Sequence, residues 1–535
     1  MRSAFVVICI ALGLPSFAQT SFNLSIEEIT LPNAPGLQSF VVGTHEGKWL
    51  LLGGRTDGLH QRQPFASFLA ADNNTVVYVV DPVNIQVWSS SISTLPTAIY
   101  EQLQSTNMEF VQRDTVLYIT GGYGYSPTAA DHITHPYLTA VNIPSAMEAV
   151  MSGNGIGNHL RYLNDSRMAV TGGYLHLHND VFYMVGGQLF EGRYNPMGPN
   201  QGPGFTQEYT ESIQKFKITD DGSTLAIANY TETVDAANLH RRDYNMVPQV
   251  FPNGDYGFTA FSGVFRPDVD LPWHNSVDIT EAGYTVNNSF DQLLNQYHSA
   301  NLPIYDQTNN EMHTLFFGGM ARYYYDQSGT LIDDENVPFV KTISLVTRDG
   351  NGAMTEQSLS LQMPAFLGSG AEFIPSEDVD YINEEVLDLN ALTPNQPTLV
   401  GYIFGGIEST AENIFFINDG TQSSASTRVF KVYITAATST GILGNTVTGE
   451  DVFELQVFPN PADSQSTACL MSKYLTHGNL EIFDAKGQLI KTIAVESIHN
   501  KHQHFDLGID QLPSGTYLVR FNNSVFSTSK TLVVQ

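Results

Sequence analysis

Trp49-Leu50-Leu51-Leu52-Gly53-Gly54 is an apolar run that ends on two glycines. The same ending recurs in Leu117-Tyr118-Ile119-Thr120-Gly121-Gly122 and Phe182-Tyr183-Met184-Val185-Gly186-Gly187. It returns in Leu315-Phe316-Phe317-Gly318-Gly319 and Tyr402-Ile403-Phe404-Gly405-Gly406, with a degenerate copy in Phe258-Thr259-Ala260-Phe261-Ser262-Gly263. A signal repeated at intervals of this size predicts an array of similar units. Glycine permits left-handed backbone and close approach of another chain, so each doublet marks a crowded strand end and is structural.

Working outward, each unit has one grammar. A lead-in strand meets a polar turn such as His45-Glu46-Gly47, Gln112-Arg113-Asp114 or His178-Asn179-Asp180, and the doublet strand follows. A third strand then appears, as in Val76–Asp81, Ile213–Ile218 and Val429–Ile434, and Trp88 stands where a fourth would carry an aromatic. Gly172-Gly173 falls on the lead-in of the third unit. This grammar resembles the kelch β-propeller family over residues 22–435. The resemblance implies an all-β, six-bladed propeller. The doublets stand farther apart than the about 50 residues of a kelch unit, which predicts large loops. The sixth unit lacks a fourth strand, while Asn23–Leu31 alternates ahead of the first. The expectation is that this N-terminal strand completes the last blade and removes its free edge.

The two ends read differently. Met1-Arg2-Ser3, the apolar run Ala4–Leu14 and the small residues to Ala18 predict a secretory signal peptide over 1–19. No later stretch is apolar for the about 20 residues a membrane-spanning helix needs. Residues 436–451, rich in Thr, Gly and Ala, predict a linker. Beyond it, Phe458-Pro459-Asn460-Pro461, Asp484-Ala485-Lys486-Gly487-Gln488-Leu489-Ile490, Leu512-Pro513-Ser514-Gly515-Thr516-Tyr517-Leu518-Val519 and the terminal Lys530–Gln535 sit among short alternating strands. These predict a small β-sandwich over 452–535. In this order the four motifs resemble the type A sorting domain of the type IX secretion system. That resemblance implies the secretion machinery as a partner, passage through the outer membrane, removal of the domain on arrival, and a secreted or cell-surface location.

Composition agrees. The 535 residues hold 24 Lys and Arg against 54 Asp and Glu, a formal net charge of −30. So acidic a chain repels phosphate backbones, which argues against a nucleic-acid partner. Of the two cysteines, Cys9 falls in the predicted signal, and Cys469 alone forms no intramolecular disulfide.

Candidate site residues come from the segments that feed the inner strands and from the loops after the doublets, which line a propeller's tunnel mouth. They are Arg55, Arg193, Tyr194, Arg241, Arg242, Asp243, Arg266, Tyr297, His298, Arg322 and Tyr323. Arginine and tyrosine together suit a carboxylate- or sugar-bearing ligand through forked hydrogen bonds and ring stacking. In so acidic a chain the same arginines could instead pair with neighbouring acids. Zinc lacks a third ligand beside His132 and His135 or His176 and His178. The acidic loops 333–335 and 377–380 could hold calcium, but they read more readily as solvated loops, and no cofactor is predicted. The propeller carries no Cys for the tyrosine–cysteine cross-link of galactose-oxidase-like copper enzymes. It also has no S-x-D-x-G-x-T-W box and no G-x-S-x-G elbow. The expectation is therefore a binding propeller for a glycan or protein ligand. The alternative is an extracellular sugar-modifying enzyme such as a sialic-acid mutarotase-like isomerase, and a third reading is a scaffold that presents partners at the cell surface.

Overall fold

A computed structural model describes residues 21–437 apart from 327, and 453–535 apart from 463–464, 473–475, 485, 499–502, 511 and 523–526. The predicted signal peptide and nearly all of the predicted linker lie outside the described residues. The chain divides into one unit of Leu24–Ala436 and a second that takes in Ala437–Gln535.

The first unit is a six-bladed β-propeller, each blade a four-stranded antiparallel ladder at its core. Blade one is Val41–His45, Lys48–Leu52, Val76–Asp81 and Gln86–Ser91. Blade two is Thr106–Arg113, Val116–Ser126, Tyr137–Asn142 and Leu160–Asn164. Blade three is Tyr174–His178, Val181–Val185, Ser212–Asp220 and Leu225–Val234. Blade four is Asn245–Val250, Tyr256–Phe261, Ser276–Thr280 and Gly283–Asn287. Blade five is Asn301–Asp306, Glu311–Met320, Phe339–Arg348 and Met354–Gln362. The degenerate fourth unit thus forms a full blade without its doublet. Blade six is Phe366–Pro375, Thr398–Ser409, Val429–Ala436 and, on its outer edge, the N-terminal strand Phe22–Ile29. The expected completion of the last blade is present. Arg428 clamps Glu28 with two bonds of 2.7 Å, and the Tyr433 hydroxyl donates to Glu27 at 3.0 Å.

The doublet strands are apolar on both faces because each blade is covered by its neighbours. Val41, Leu50, Leu52 and Val79 of blade one pack with Met108, Leu117, Ile119 and Val141 of blade two. Two helices that the repeat grammar does not announce, Thr97–Leu103 and Ile143–Met151, lie in this region, and Ile99, Leu103, Ile143 and Met147 join its core.

At the axis, a circuit of backbone hydrogen bonds closes on itself. Asn107 donates to Ser39, Gly172 to Asn107, Asp243 to Gly172, His298 to Asp243, Gly370 to His298 and Ser39 to Gly370, at 2.7–3.2 Å. Each blade contributes one residue, from the lead-in or from the first half of its innermost strand. Five of the six have left-handed backbone: Ser39, Asn107, Gly172, Asp243 and Gly370, with φ from 47° to 71°. In each, the N–H turns to one neighbour and the carbonyl to the other; His298 does the same without left-handed backbone.

The far end of the axis is filled by an insertion of blade six. Within residues 376–397, Val386–Asp388 adds in parallel to the innermost strand of blade five, with Ile304 opposite Leu387 and Tyr305 opposite Asp388. Tyr381–Ile382 pairs back on it. Glu377 accepts from the Gly47 N–H of blade one at 2.9 Å. Glu385 lies 3.0 Å from His176 of blade three and accepts from the Tyr256 hydroxyl of blade four at 2.5 Å. This insertion is a plug, and nothing in the repeat pattern predicts it.

The second unit holds two sheets. One orders Phe453–Phe458, Thr467–Ser472 and Gln503–Asp506. The other orders Leu489–Ile498, Thr476–Phe483, Gly515–Asn522 and Ser527–Val534. Leu455, Leu470, Leu480, Ile482, Val519, Phe521 and Leu532 fill the space between them, and Cys469 is buried.

Candidate functional site at the propeller mouth

The circuit of left-handed residues floors a cavity of about 930 Å³ at the end opposite the plug. Its wall comes mainly from three long loops, about residues 55–73 of blade one, 188–209 of blade three and 407–425 of blade six, with further residues from the other blades. The 188–209 loop is itself stiffened as a hairpin, Gln188–Gly192 against Phe205–Tyr209.

Seven of the predicted residues line this cavity: Arg55, Tyr194, Arg242, Asp243, Arg266, Tyr297 and His298. Arg242 is at the centre of the polar arrangement. Its Nε donates to the Tyr209 hydroxyl at 2.9 Å, its Nη1 to Asp243 at 2.6 Å, and its plane lies 5.3 Å from the Phe265 ring. Burial opposes the charge of Arg242, but Tyr209 and Asp243 outweigh it and hold the guanidinium above its ordinary pKa. Tyr209 in turn stacks on His240 at 3.6 Å, and His240 Nδ1 lies 2.7 Å from Glu211. His298 Nε2 lies 3.2 Å from Glu372. Burial alone would lower this imidazole, yet the carboxylate keeps it above its ordinary range. Arg55 is fixed by two bonds to Asp57, of 2.7 and 2.8 Å, and one to Asn73 of 2.9 Å. Arg266 has only a distant acid, Asp268 at 3.7 Å.

The other four predicted residues have different surroundings. Arg241 is buried behind the cavity wall. It donates to the carbonyls of Asn238, Ser262 and Asn275 and to the Asn275 side chain, with the Trp273 ring 4.6 Å away. Among the described residues no carboxylate is its partner, and burial brings its pKa down to about 9. Arg193 donates to the Ser67 carbonyl. Arg322 pairs with Asp333 and Glu335 and lies against Tyr323, whose ring meets His274. Of the acidic loops, Asp334 accepts from Asn336 and Asn413, and Glu377 from Gly47.

Residue patterns missed much of the wall. His60, Arg62, Phe68, Phe205, Tyr209, Phe415 and Phe416 all line the cavity. His60 meets Tyr194 edge-to-face at 4.7 Å and Phe415 at 5.7 Å. Among the described residues its buried Nδ1 makes no hydrogen bond, and burial, with Arg242 and Arg55 nearby, brings its pKa down to about 4. A signal was present in the aromatic content of Arg62–Phe68 and in the Phe415-Phe416 pair.

No curated protein matches the chain in sequence. Among solved structures, YjhT aligns over 78% of this chain and 99% of its own at 12% identity, with a TM-score of 0.42. A fungal alcohol oxidase of the AA5 family, in complex with copper, aligns over 96% and 100% at 9% identity, with a TM-score of 0.37. Likenesses this distant carry no weight beside the strand order and the axial circuit. The family described as "Secretion system C-terminal sorting domain" matches residues 456–535, so the last β-sandwich is such a domain and supports export through the type IX system.

Proposed function

We propose that this chain is an exported binding protein, related to the kelch propellers, that takes a glycan or protein ligand in the mouth cavity. The sorting domain carries it to the cell surface or beyond and is removed there. The observation that carries this reading is the cavity itself. It is floored by the axial circuit of backbone hydrogen bonds. Into it converge Arg242, Asp243, Tyr209, Tyr297 and His298 among aromatic rings, a few placed polar groups in an aromatic wall.

The test is a glycan array, with a matched peptide panel, probed with the full chain and with Arg242→Gln. Arg242→Gln should lose at least about tenfold in affinity, since it removes charge-assisted bonds to any anionic or hydroxyl group. Its melting temperature should stay within a few degrees, because the arginine's partners also face the cavity. Ligand capture unchanged by Arg242→Gln would refute the reading.

The second reading, an enzyme acting on extracellular sugars such as an isomerase, draws on one further observation. The same cavity holds the Asp243 carboxylate and an uncharged imidazole, His60, with a bare nitrogen. Proton NMR of any sugar captured on the array decides it: accelerated anomer exchange favours the enzyme, and unchanged spectra favour binding alone.

A further inference from the structure

The cations of the mouth are nearly all compensated. Arg55 has Asp57, Arg242 has Asp243, His240 has Glu211, His298 has Glu372, and Arg266 has Asp268 at longer range. Arg62 is the exception. Among the described residues its guanidinium donates only one hydrogen bond, a long one from Nη1 to the Pro196 carbonyl at 3.4 Å, and it lies 5.0 Å from each of the Phe415 and Phe416 rings. Among the described residues no carboxylate stands within ion-pair distance of it. In a chain of net charge −30, a lone unmatched arginine at a cavity rim is a place where an anionic group gains most.

The rim around Arg62 is apolar. Three loops meet there. Asn418 donates to the carbonyls of Leu59 and His60, Arg62 reaches Pro196, and Gly202 lies against Pro64. On these same loops Phe65, Ile417, Phe416 and Met197 are 70%, 64%, 61% and 47% exposed. Exposed apolar groups gathered beside a cavity mark an interaction surface. Sugar hydroxyls gain little from the aliphatic Met197 and Ile417, whereas apolar side chains of a polypeptide do.

Resting on the mouth reading above, we infer that the ligand is a polypeptide segment with one acidic side chain set among apolar residues. The acid meets Arg62, and its neighbours cover Phe65, Met197, Phe416 and Ile417. A run of acids would be repelled by the rest of the chain's surface at distances within the Debye length of about 8–10 Å, so a single acid in a neutral apolar stretch is the best fit.

The test titrates the full chain, by fluorescence polarisation, with short labelled peptides holding one central Glu in an apolar stretch. The matched Gln peptides run beside them, and the glycan array is the second arm. The Glu peptides should bind about tenfold or more tightly than the Gln peptides. Arg62→Gln should erase that preference, Arg62→Lys should keep part of it, and Phe416→Ser should weaken both peptides. Peptide binding indifferent to Arg62→Gln but lost in Arg242→Gln overturns this inference and leaves the mouth reading standing. So does capture of glycans, through Arg242, by a chain that ignores the peptides. Failure to bind either class overturns both.

Discussion

At the scale of single residues, the doublet glycines differ in how much they are needed. A Cβ at Gly121 would sit 1.8 Å from the Val170 carbonyl oxygen of the next blade, at φ +67°. At Gly319 the nearest atom is 3.3 Å away, at φ +93°. Gly121→Ala should therefore cost about 3–5 kcal/mol, through a clash that neither backbone can relieve. Gly319→Ala should cost only the strain of left-handed backbone, about 1–2 kcal/mol. Urea denaturation of the two variants checks the order, and equal losses would contradict it. The neighbours Arg241 and Arg242 show where reading by residue stops. The sequence places both on one lead-in. Which of them faces the cavity depends on the carbonyls of Ser262 and Asn275 and on Trp273, all brought from other segments. Arg62 was illegible for a similar reason. It stands in a loop outside the repeat grammar, and its lack of an acid is a property of three loops together.

At the scale of elements, the doublets made the blades legible because an apolar run closed by glycine has one use in a crowded ring. The lead-ins were legible at Gly172, Asp243 and His298, all of which join the axial circuit. The plug left no periodic trace, since its strands are two and three residues long. What anchors it is chemistry across the axis. His176 lies between Glu385 and the Met246 carbonyl. Burial would depress this imidazole, yet Glu385, with Glu372 farther off, outweighs it and leaves the pKa raised. A raised histidine stabilises the fold fully below its unfolded value, about 6.5, and that contribution is lost as pH rises through the folded value. Hydrogen exchange at the amides of 385–388 should thus be slower near pH 6 than near pH 9, after correction for intrinsic exchange rates. Glu385→Gln should flatten the difference. Equal protection across that range in the unaltered chain would show that the plug is held by its apolar contacts, Val386 with Val250 and Met312, alone.

At the scale of the whole molecule, the axial circuit and the borrowed N-terminal strand make the propeller one cooperative object. The ion pair Arg428–Glu28 is partly exposed, so Arg428→Ala should lower stability by no more than about 1 kcal/mol. Deleting 22–29 is a different matter. It bares the outer edge of Val429–Ala436, a strand with alternate residues buried, and such edges pair with whatever strand they meet. The shortened chain should elute as oligomers in size-exclusion chromatography and melt well below the full one. A monomer of unchanged melting temperature would show that the borrowed strand is dispensable.

The borrowed strand also sets a schedule. Residues 22–29 are made before any of the blades, and their partner, 429–436, is made shortly before the export address at 456–535. Contacts so distant along the chain form late and slowly. A polypeptide that stops before residue 429 has neither a finished last blade nor a shipping label, so completeness of the fold and permission to leave are both written late in the message.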